Sequence, residues 1–256
     1  MHAIASRNPE TAQSLAGSVG AQAMAGQQAV TQCDLIFLTV PDDAIEETAR
    51  ALTWRAGHAV LHCSGATEVS ALASAAADGA QIGGFHPLQS FADTGTDLAG
   101  CTITVEAAPP LLDSLETMVA ALGCRLNRLP PGKRALYHAS AGYGSQFVHV
   151  LLAEITDLWG DWDASEDDVL AAILPMMRAS LDSIERDGIA QAMPGPVSRG
   201  DAGSVAAHLD ALGTRPDALD FYRAHCRRSV ALARRAGRIN AEKADSLHAL
   251  LSKRRG

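Results

Sequence analysis

Residues 34–40, Asp-Leu-Ile-Phe-Leu-Thr-Val, form the most continuous apolar run in the chain. An unbroken, β-branched run of this kind predicts a parallel strand covered on both faces. Pro41-Asp42-Asp43 ends it, and either aspartate can cap a helix reaching about Arg55. Shorter apolar runs predict further strands at 2–6, 19–24, 59–62, 81–85, 101–105 and 125–129. Helical patterns fall between them at 9–16, 25–32, 67–77 and 109–122, the first opened by Asn8 as cap and Pro9 at the first helical position. Strands and helices alternating over short connections predict βαβ units and a parallel sheet.

The pattern changes after Pro130-Pro131-Gly132. From Lys133 onward only helical periodicity remains, at 133–159, 165–187, 202–212, 216–236 and 240–253, with one long non-helical insert at 194–201. The fold class expected is therefore α/β then all-α: a doubly wound domain over residues 1–131 followed by a helical domain over 132–256. On the helix from Lys133, Leu136, Tyr143, Phe147, Val150 and Leu151 share an apolar face. Arg134, His138, Gly142, Ser145 and His149 share a second face that is polar and small. Such a face suits either a ligand wall or a tight helix contact in which each histidine is hydrogen-bonded. His138 and His149 lie three turns apart, too far to share one ion, so no metal is expected.

Two strand ends carry ligand-type chemistry. Ile82-Gly83-Gly84-Phe85-His86-Pro87-Leu88-Gln89-Ser90-Phe91 is an apolar run ending in two glycines, a histidine, a proline and small polar residues. Glycine lets the backbone approach a neighbour closely, and proline stops the strand. Alone, the stretch also fits a structural turn in which His86 caps a carbonyl. Leu61-His62-Cys63-Ser64-Gly65 has the same form, and ligands of open α/β sheets bind outside the carboxyl ends of strands. Together the two ends point to one site.

Composition narrows the class. Of the 256 residues 47% are hydrophobic and 20% charged, as in a soluble globular protein. The net charge of −8 excludes the electrostatic footprint of a nucleic-acid binder. All of that excess lies in residues 1–132, with 5 basic against 13 acidic side chains; residues 133–256 are balanced. Arg227, Arg228, Arg234, Arg235 and Arg238 read as a solvated helix face. Five cysteines without a Cys-x-x-Cys pair fit a reducing compartment. No apolar run approaches the ~20 residues that span a bilayer. Met1-His2-Ala3-Ile4-Ala5-Ser6-Arg7 lacks the form of a signal peptide, so a cytoplasmic location is expected.

Thr39-Val40-Pro41-Asp42, His62-Cys63-Ser64-Gly65, Gly84 to Phe91, Tyr137-His138-Ala139 and Gly195-Pro196-Val197-Ser198-Arg199-Gly200-Asp201 occur in this order. The set resembles a family of NAD(P)-dependent oxidoreductases with a Rossmann-like domain and a helical carboxyl-terminal domain of unknown function. That helical domain is similar to those of the 6-phosphogluconate dehydrogenase superfamily. The resemblance implies a first strand and Gly-x-Gly-x-x-Gly ahead of Ser6-Arg7; no such motif occurs in the chain, so a Rossmann-like sheet lacking its first strand is expected. Gln146 stands where the family pattern has Asn.

The resemblance further implies that Ser6 and Arg7 meet the 2′-phosphate of NADP, in preference to NAD. It places Val40, Pro41 and Asp42 beside the adenosine ribose and Ser64 and Gly65 at the nicotinamide ribose. His86, Gln89 and Ser90 would face a small-molecule substrate bearing a carbonyl or hydroxyl group. A hydride step needs a proton partner, for which His138 and then His86 are the first choices. Lys133 would bind or polarise the substrate, and Ser198 and Arg199 would bind an anionic group. The expected assembly is a homodimer made through the helical part. The alternative from another class is a non-catalytic Rossmann remnant that binds or assembles.

Overall fold

The computed structural model describes residues 1–91 and 95–252. The chain divides into two compact units, Met1–Val148 and His149–Gly256. The fold is α/β followed by all-α, with a Rossmann-like, parallel-dominated sheet.

The first unit begins with β1 (Ala3–Ile4), α1 (Pro9–Val19), β2 (Gln22–Ala23) and α2 (Gly26–Gln32). β1 and β2 pair in parallel as a sheet of their own. Asn8 caps α1 as its sequence promised, its side chain accepting from the Glu10 and Thr11 amides, with Pro9 at the first helical position. There follow β3 (Leu35–Leu38), α3 (Ile45–Ala51), β4 (Ala59–His62), α4 (Ala73–Ala77), β5 (Gln81–Leu88), β6 (Thr102–Ala107), α5 (Leu111–Ala121), β7 (Arg125–Arg128) and α6 (Arg134–Tyr143). β3 to β7 form one five-stranded sheet in sequence order.

The expectation of a wholly parallel sheet needs one correction: β5 and β6 pair antiparallel. Parallel neighbours require a crossover, usually helical, whereas antiparallel strands need only a reversal. No helix lies between β5 and β6 among the described residues, so the chain turns back. The reversal sets Gly84 opposite Glu106 and His86 opposite Thr104. β4 adds His62 beside Gly84, and β7 adds Asn127 beside Thr104.

Side chains alternate between the two faces of a strand. Leu61, Phe85, Ile103 and Val105 face Leu111, Leu115 and Val119 of α5 in one apolar core. On the opposite face Leu38 and Val60 pack with Ile45, Ala49, Leu72 and Ala75. Along β4 to β7 that second face becomes polar. Its rows are His62–Gly84–Glu106 and His86–Thr104–Asn127.

α6 covers these rows with its polar side. Arg134 is 0% exposed; its Nε donates to Glu106 Oε2 at 2.6 Å and its Nη1 to the Ser64 carbonyl at 2.7 Å. The guanidinium lies in the space that Gly84 leaves by having no side chain. Leu136 and Tyr143, on the other side of α6, are each 71% exposed. The single helix expected over 133–159 is instead α6 and α7 (Gln146–Trp159). Gly142, Gly144 and Ser145 are poor helix formers, and the amides of Gly144 and Ser145 turn to the carbonyls of Ala141 and Gly142. Ser145 Oγ also donates to the Ala141 carbonyl, competing with the backbone. The division between the units falls inside α7.

The second unit continues with α8 (Glu166–Asp187), α9 (Pro196–Arg199), α10 (Ala202–Ala211), α11 (Pro216–Arg235) and α12 (Ala241–Ser252). Its core gathers Val197, Val205, Leu209, Leu219, Val230, Leu247 and Leu251. The helices expected at 165–187, 202–212, 216–236 and 240–253 match α8, α10, α11 and α12, with Lys253 outside the described residues. α9 corrects the reading of 194–201 as wholly non-helical. Four residues are too few for periodicity to reveal, although Pro196 opens the turn and Gly200, at φ +71°, closes it. In α8 only Val169 and Ile173 are buried, while Met176, Leu181 and Ile184 are exposed. No helix of the described residues is long and apolar enough to cross a membrane.

A methyl group on Gly84 would occupy the position of Arg134 Nη2. Gly84→Ala should therefore expel the guanidinium and leave Glu106 without its partner, costing about 3–5 kcal/mol in urea denaturation. A loss below about 1 kcal/mol, the range of an exposed ion pair, would mean that the buried pair does not depend on this space.

Candidate functional site

Arg134, Tyr137 and His138 follow the helical spacing of three and four residues, so α6 delivers them together onto the polar rows. Arg134 anchors the helix, as described above. Tyr137 Oη lies 2.8 Å from His86 Nδ1 and accepts from Thr104 Oγ1 at 2.9 Å. Asn127 Nδ2 donates to Thr104 Oγ1 at 3.1 Å. The rings of His86 and His138 stand 6.4 Å apart, edge to face. Gly65, just beyond the end of β4, lies against both. A Cβ there would come within 2.8 Å of His138 Cδ2 and 2.9 Å of His86 Cε1 and Nε2. The end of β4 and the His86 stretch thus meet α6 at one point, with one correction: β5 runs on through Pro87 to Leu88, paired with β6, so His86 lies within the strand and not beyond its end.

Burial separates the two imidazoles. His86 is half-buried and His138 exposed. Burial holds His86 below the usual histidine range, helped by the nearby His138 and Arg134 and opposed by Asp42. Burial raises the Tyr137 hydroxyl, against the pull of its Thr104 hydrogen bond and of Arg134. It also raises the Glu106 carboxyl, with Arg134 pulling the other way. His62 is 0% exposed, and its ring nitrogens make no well-formed hydrogen bond among the described residues, the Glu68 backbone being the polar group near enough to favour the charged form. Burial first, then the Arg134 charge, lowers its pKa to about 4. The Cys63 thiol is pushed up to about 11 by burial, which disfavours the thiolate.

The other residues predicted from the sequence fall into four groups. Ser64 Oγ donates to Asp42 Oδ2 at 2.7 Å and accepts from the amides of Ala66 and Thr67, tying the end of β4 to the segment after β3. Val40 is half-buried and Pro41 exposed just ahead of Asp42. Gln89, Ser90 and Lys133 are exposed, and the Gln89 side chain accepts from the Ser90 amide. Lys133 immediately precedes Arg134, and Arg134 holds the buried cationic position. Ser6 and Arg7 are exposed after β1, with Ser6 Oγ accepting from the Asn8 amide. Ser198 and Arg199 belong to the second unit. Ser198 is buried and donates to the Gly195 carbonyl, while the Arg199 carbonyl accepts from Lys243 Nζ.

Tyr137, Thr104, Asn127 and Glu106 were not among the predicted residues. A signal existed in the alternation Thr102-Ile103-Thr104-Val105-Glu106, where a strand covered by apolar residues on both faces would not place a polar residue at every second position.

A family model described as a domain of unknown function (DUF2520) matches residues 101–229. A second, described as NADP oxidoreductase, coenzyme F420-dependent, matches residues 2–65. Among solved structures the chain is similar to protein TM1727 from Thermotoga maritima, with a TM-score of 0.77 at 20% identity over 91% of this chain and 90% of that one. It is also similar to a reductive aminase from Aspergillus terreus in complex with NADPH, with a TM-score of 0.64 at 18% identity over 96% and 89%. A 1-pyrroline-5-carboxylate reductase from Streptococcus pyogenes gives a TM-score of 0.61 at 12% identity over 90% and 88%. These likenesses establish the fold. No curated protein matches the sequence.

A histidine whose pKa is lowered on folding binds its proton more readily in the unfolded chain. The stability that His62 supports is complete above about pH 6.5, its ordinary value, and is lost as pH falls toward about 4. The loss should reach roughly 3 kcal/mol over that interval. His86 acts in the same sense, and Glu106, raised on folding, in the opposite one. Urea titrations of the wild type and His62→Leu across this interval should show a flatter pH dependence in the variant; identical slopes would assign the acid sensitivity elsewhere.

Proposed function

Because the chain belongs to the DUF2520 family and carries a reductase-type fold, we propose that it is an NADP-type oxidoreductase acting on a small polar carbonyl or hydroxyl compound. The observation that carries this reading is the meeting of His86, on β5, and His138, on α6, around Gly65 beyond the end of β4. Catalysts of hydride transfer must move a proton at the oxygen whose carbon gains or loses the hydride, and imidazole is the side chain best suited to that at neutral pH. His138, exposed beside the Gly65 turn, exchanges the proton. His86, held by Tyr137, orients the substrate. Gln89, Ser90 and Lys133 are exposed near these elements in sequence and supply polar contacts to it.

The residues present suit a dinucleotide carrying an extra phosphate. Arg7 and Ser6 offer an exposed guanidinium and a hydroxyl just beyond the carboxyl end of β1, the donor set for a 2′-phosphate. Val40, Pro41 and Asp42 follow β3, and Ser64 and Gly65 follow β4, with the Ser64–Asp42 hydrogen bond holding the two turns together. These residues would hold the nucleoside and nicotinamide ends. Bound there, the cofactor supplies or takes the hydride. The amino-terminal match to an NADP oxidoreductase model and the NADPH in the reductive aminase structure support this reading.

Fluorescence titration should show weak binding of either cofactor, since the chain has no Gly-x-Gly-x-x-Gly to cradle a pyrophosphate, with NADPH bound more tightly than NADH. Arg7→Ala should remove about 1.5–3 kcal/mol of that preference, the worth of a charge-assisted phosphate contact. Equal affinities for the two cofactors, or a preference for NADH, would overturn the assignment to NADP.

The apolar side chains turned outward on α6, α7 and α8 favour assembly as well. Leu136, Tyr143, Val150, Met176 and Leu181 are all more than half exposed. Monomeric proteins rarely leave large apolar surfaces in water. A homodimer covering them is the expected state, and light scattering at micromolar concentration that returned a monomer mass would contradict it.

A further inference from the structure

We propose that a hydrogen-bonded relay, Asn127–Thr104–Tyr137–His86, fixes His86 as the tautomer carrying its proton on Nε2, so that this ring offers its ligand a hydrogen-bond donor and not an acceptor. Asn127 and Thr104 are register partners on β7 and β6, and Thr104 and His86 on β6 and β5. Tyr137 closes the relay from α6, bridging Thr104 and His86.

The direction follows by elimination. The amide nitrogen of Asn127 can only donate, so Thr104 Oγ1 is its acceptor. Thr104 is 0% exposed, and its own proton has the Tyr137 oxygen as its acceptor. The Tyr137 proton is then directed to His86 Nδ1, 2.8 Å away. An imidazole that accepts at Nδ1 and is neutral carries its hydrogen on Nε2. Burial and the neighbouring Arg134 and His138 favour that neutral form. Nε2 is also the nitrogen next to Gly65, where a Cβ would come within 2.9 Å of it. The donor therefore points at the Gly65 turn beyond the end of β4.

The chemical consequence rests on the oxidoreductase reading given above. A ring that only donates matches an atom that only accepts, such as a carbonyl oxygen. It would polarise that group as negative charge develops on the oxygen. His138 is left as the group that exchanges protons. Asn127, Thr104 and Tyr137 are positioning residues in this scheme, acting through His86.

The test reads the tautomer directly. The full-length chain, uniformly labelled with 15N, gives long-range proton–nitrogen correlations in which protonated and bare ring nitrogens resonate apart, with the His86 signals identified by their loss in His86→Gln. The expected pattern is a bare Nδ1 and a protonated Nε2. Asn127→Asp replaces the donor at the head of the relay with a group that only accepts. Every bond should then reverse, so that His86 switches to the Nδ1-protonated form. Tyr137→Phe cuts the relay and should give a mixture of both forms, which keeps the test available if Asn127→Asp does not fold. A wild-type ring protonated on Nδ1, or a tautomer unmoved in a folded Asn127→Asp or Tyr137→Phe variant, would overturn the proposal. An Nε2-protonated ring in a protein that binds neither NADPH nor NADH would leave the relay standing and remove the cofactor reading instead.

Discussion

Enclosing the guanidinium of Arg134 is the constraint on which the amino-terminal unit turns. A charged group taken wholly out of water carries a penalty of several kcal/mol unless its partners are in place. Those partners come from three separate stretches: the Glu106 carboxylate on β6, the Ser64 carbonyl beyond β4, and the empty space above Gly84 on β5. Nη2, over Gly84, has no hydrogen-bond partner among the described residues. The antiparallel course of β6 is part of the same solution, since it sets Glu106 beside Gly84 and Thr104 beside His86. Once Arg134 is seated, helical spacing leaves Tyr137 and His138 little choice of position.

Two imidazole rings only 6.4 Å apart have different surroundings. His86 is half-buried, bonded at Nδ1 and biased toward the neutral state by its surroundings. His138 is exposed. One ring is held and the other is open to water, although both lie against the same glycine. The unit that carries them is acidic, with 7 basic against 13 acidic side chains over residues 1–148, yet the immediate neighbour of the site is a buried cation. Local placement of charge, rather than the net value, sets the chemistry here.

Much of this was legible in the residues, for identifiable reasons. Apolar runs and helical spacing located the strands and most helices because burial imposes those periods. The two glycine-bearing stretches and the small polar helix face were read from the residues, while the assignment of His86 and His138 to one site came from the family resemblance. The sense of β6 was not legible, since an apolar run reads the same in either direction. Nor was the break at Gly144, because the apolar positions continue in helical phase across it while the glycines weaken the helix locally. Tyr137 was hidden because a tyrosine on an amphipathic helix suits an apolar face as well as a polar one. Thr104, Asn127 and Glu106 became visible only once the register of β5, β6 and β7 placed them in rows.

α6 is inverted relative to an ordinary covering helix: its charged and polar side faces the sheet and its apolar side faces outward. This makes the length of the connection between β7 and α6 part of the site. Successive helix residues are rotated by about 100°, so one residue inserted into 129–133 would bring Lys133 to the seat of Arg134 and Leu136 to that of Tyr137. Deleting one would bring Ala135 and His138 there instead. Surface loops commonly drift in length without harm. This one is held to a fixed count, and descendants of the chain that keep its site are bound to keep the spacing from Arg128 to Arg134 even as the residues between them change.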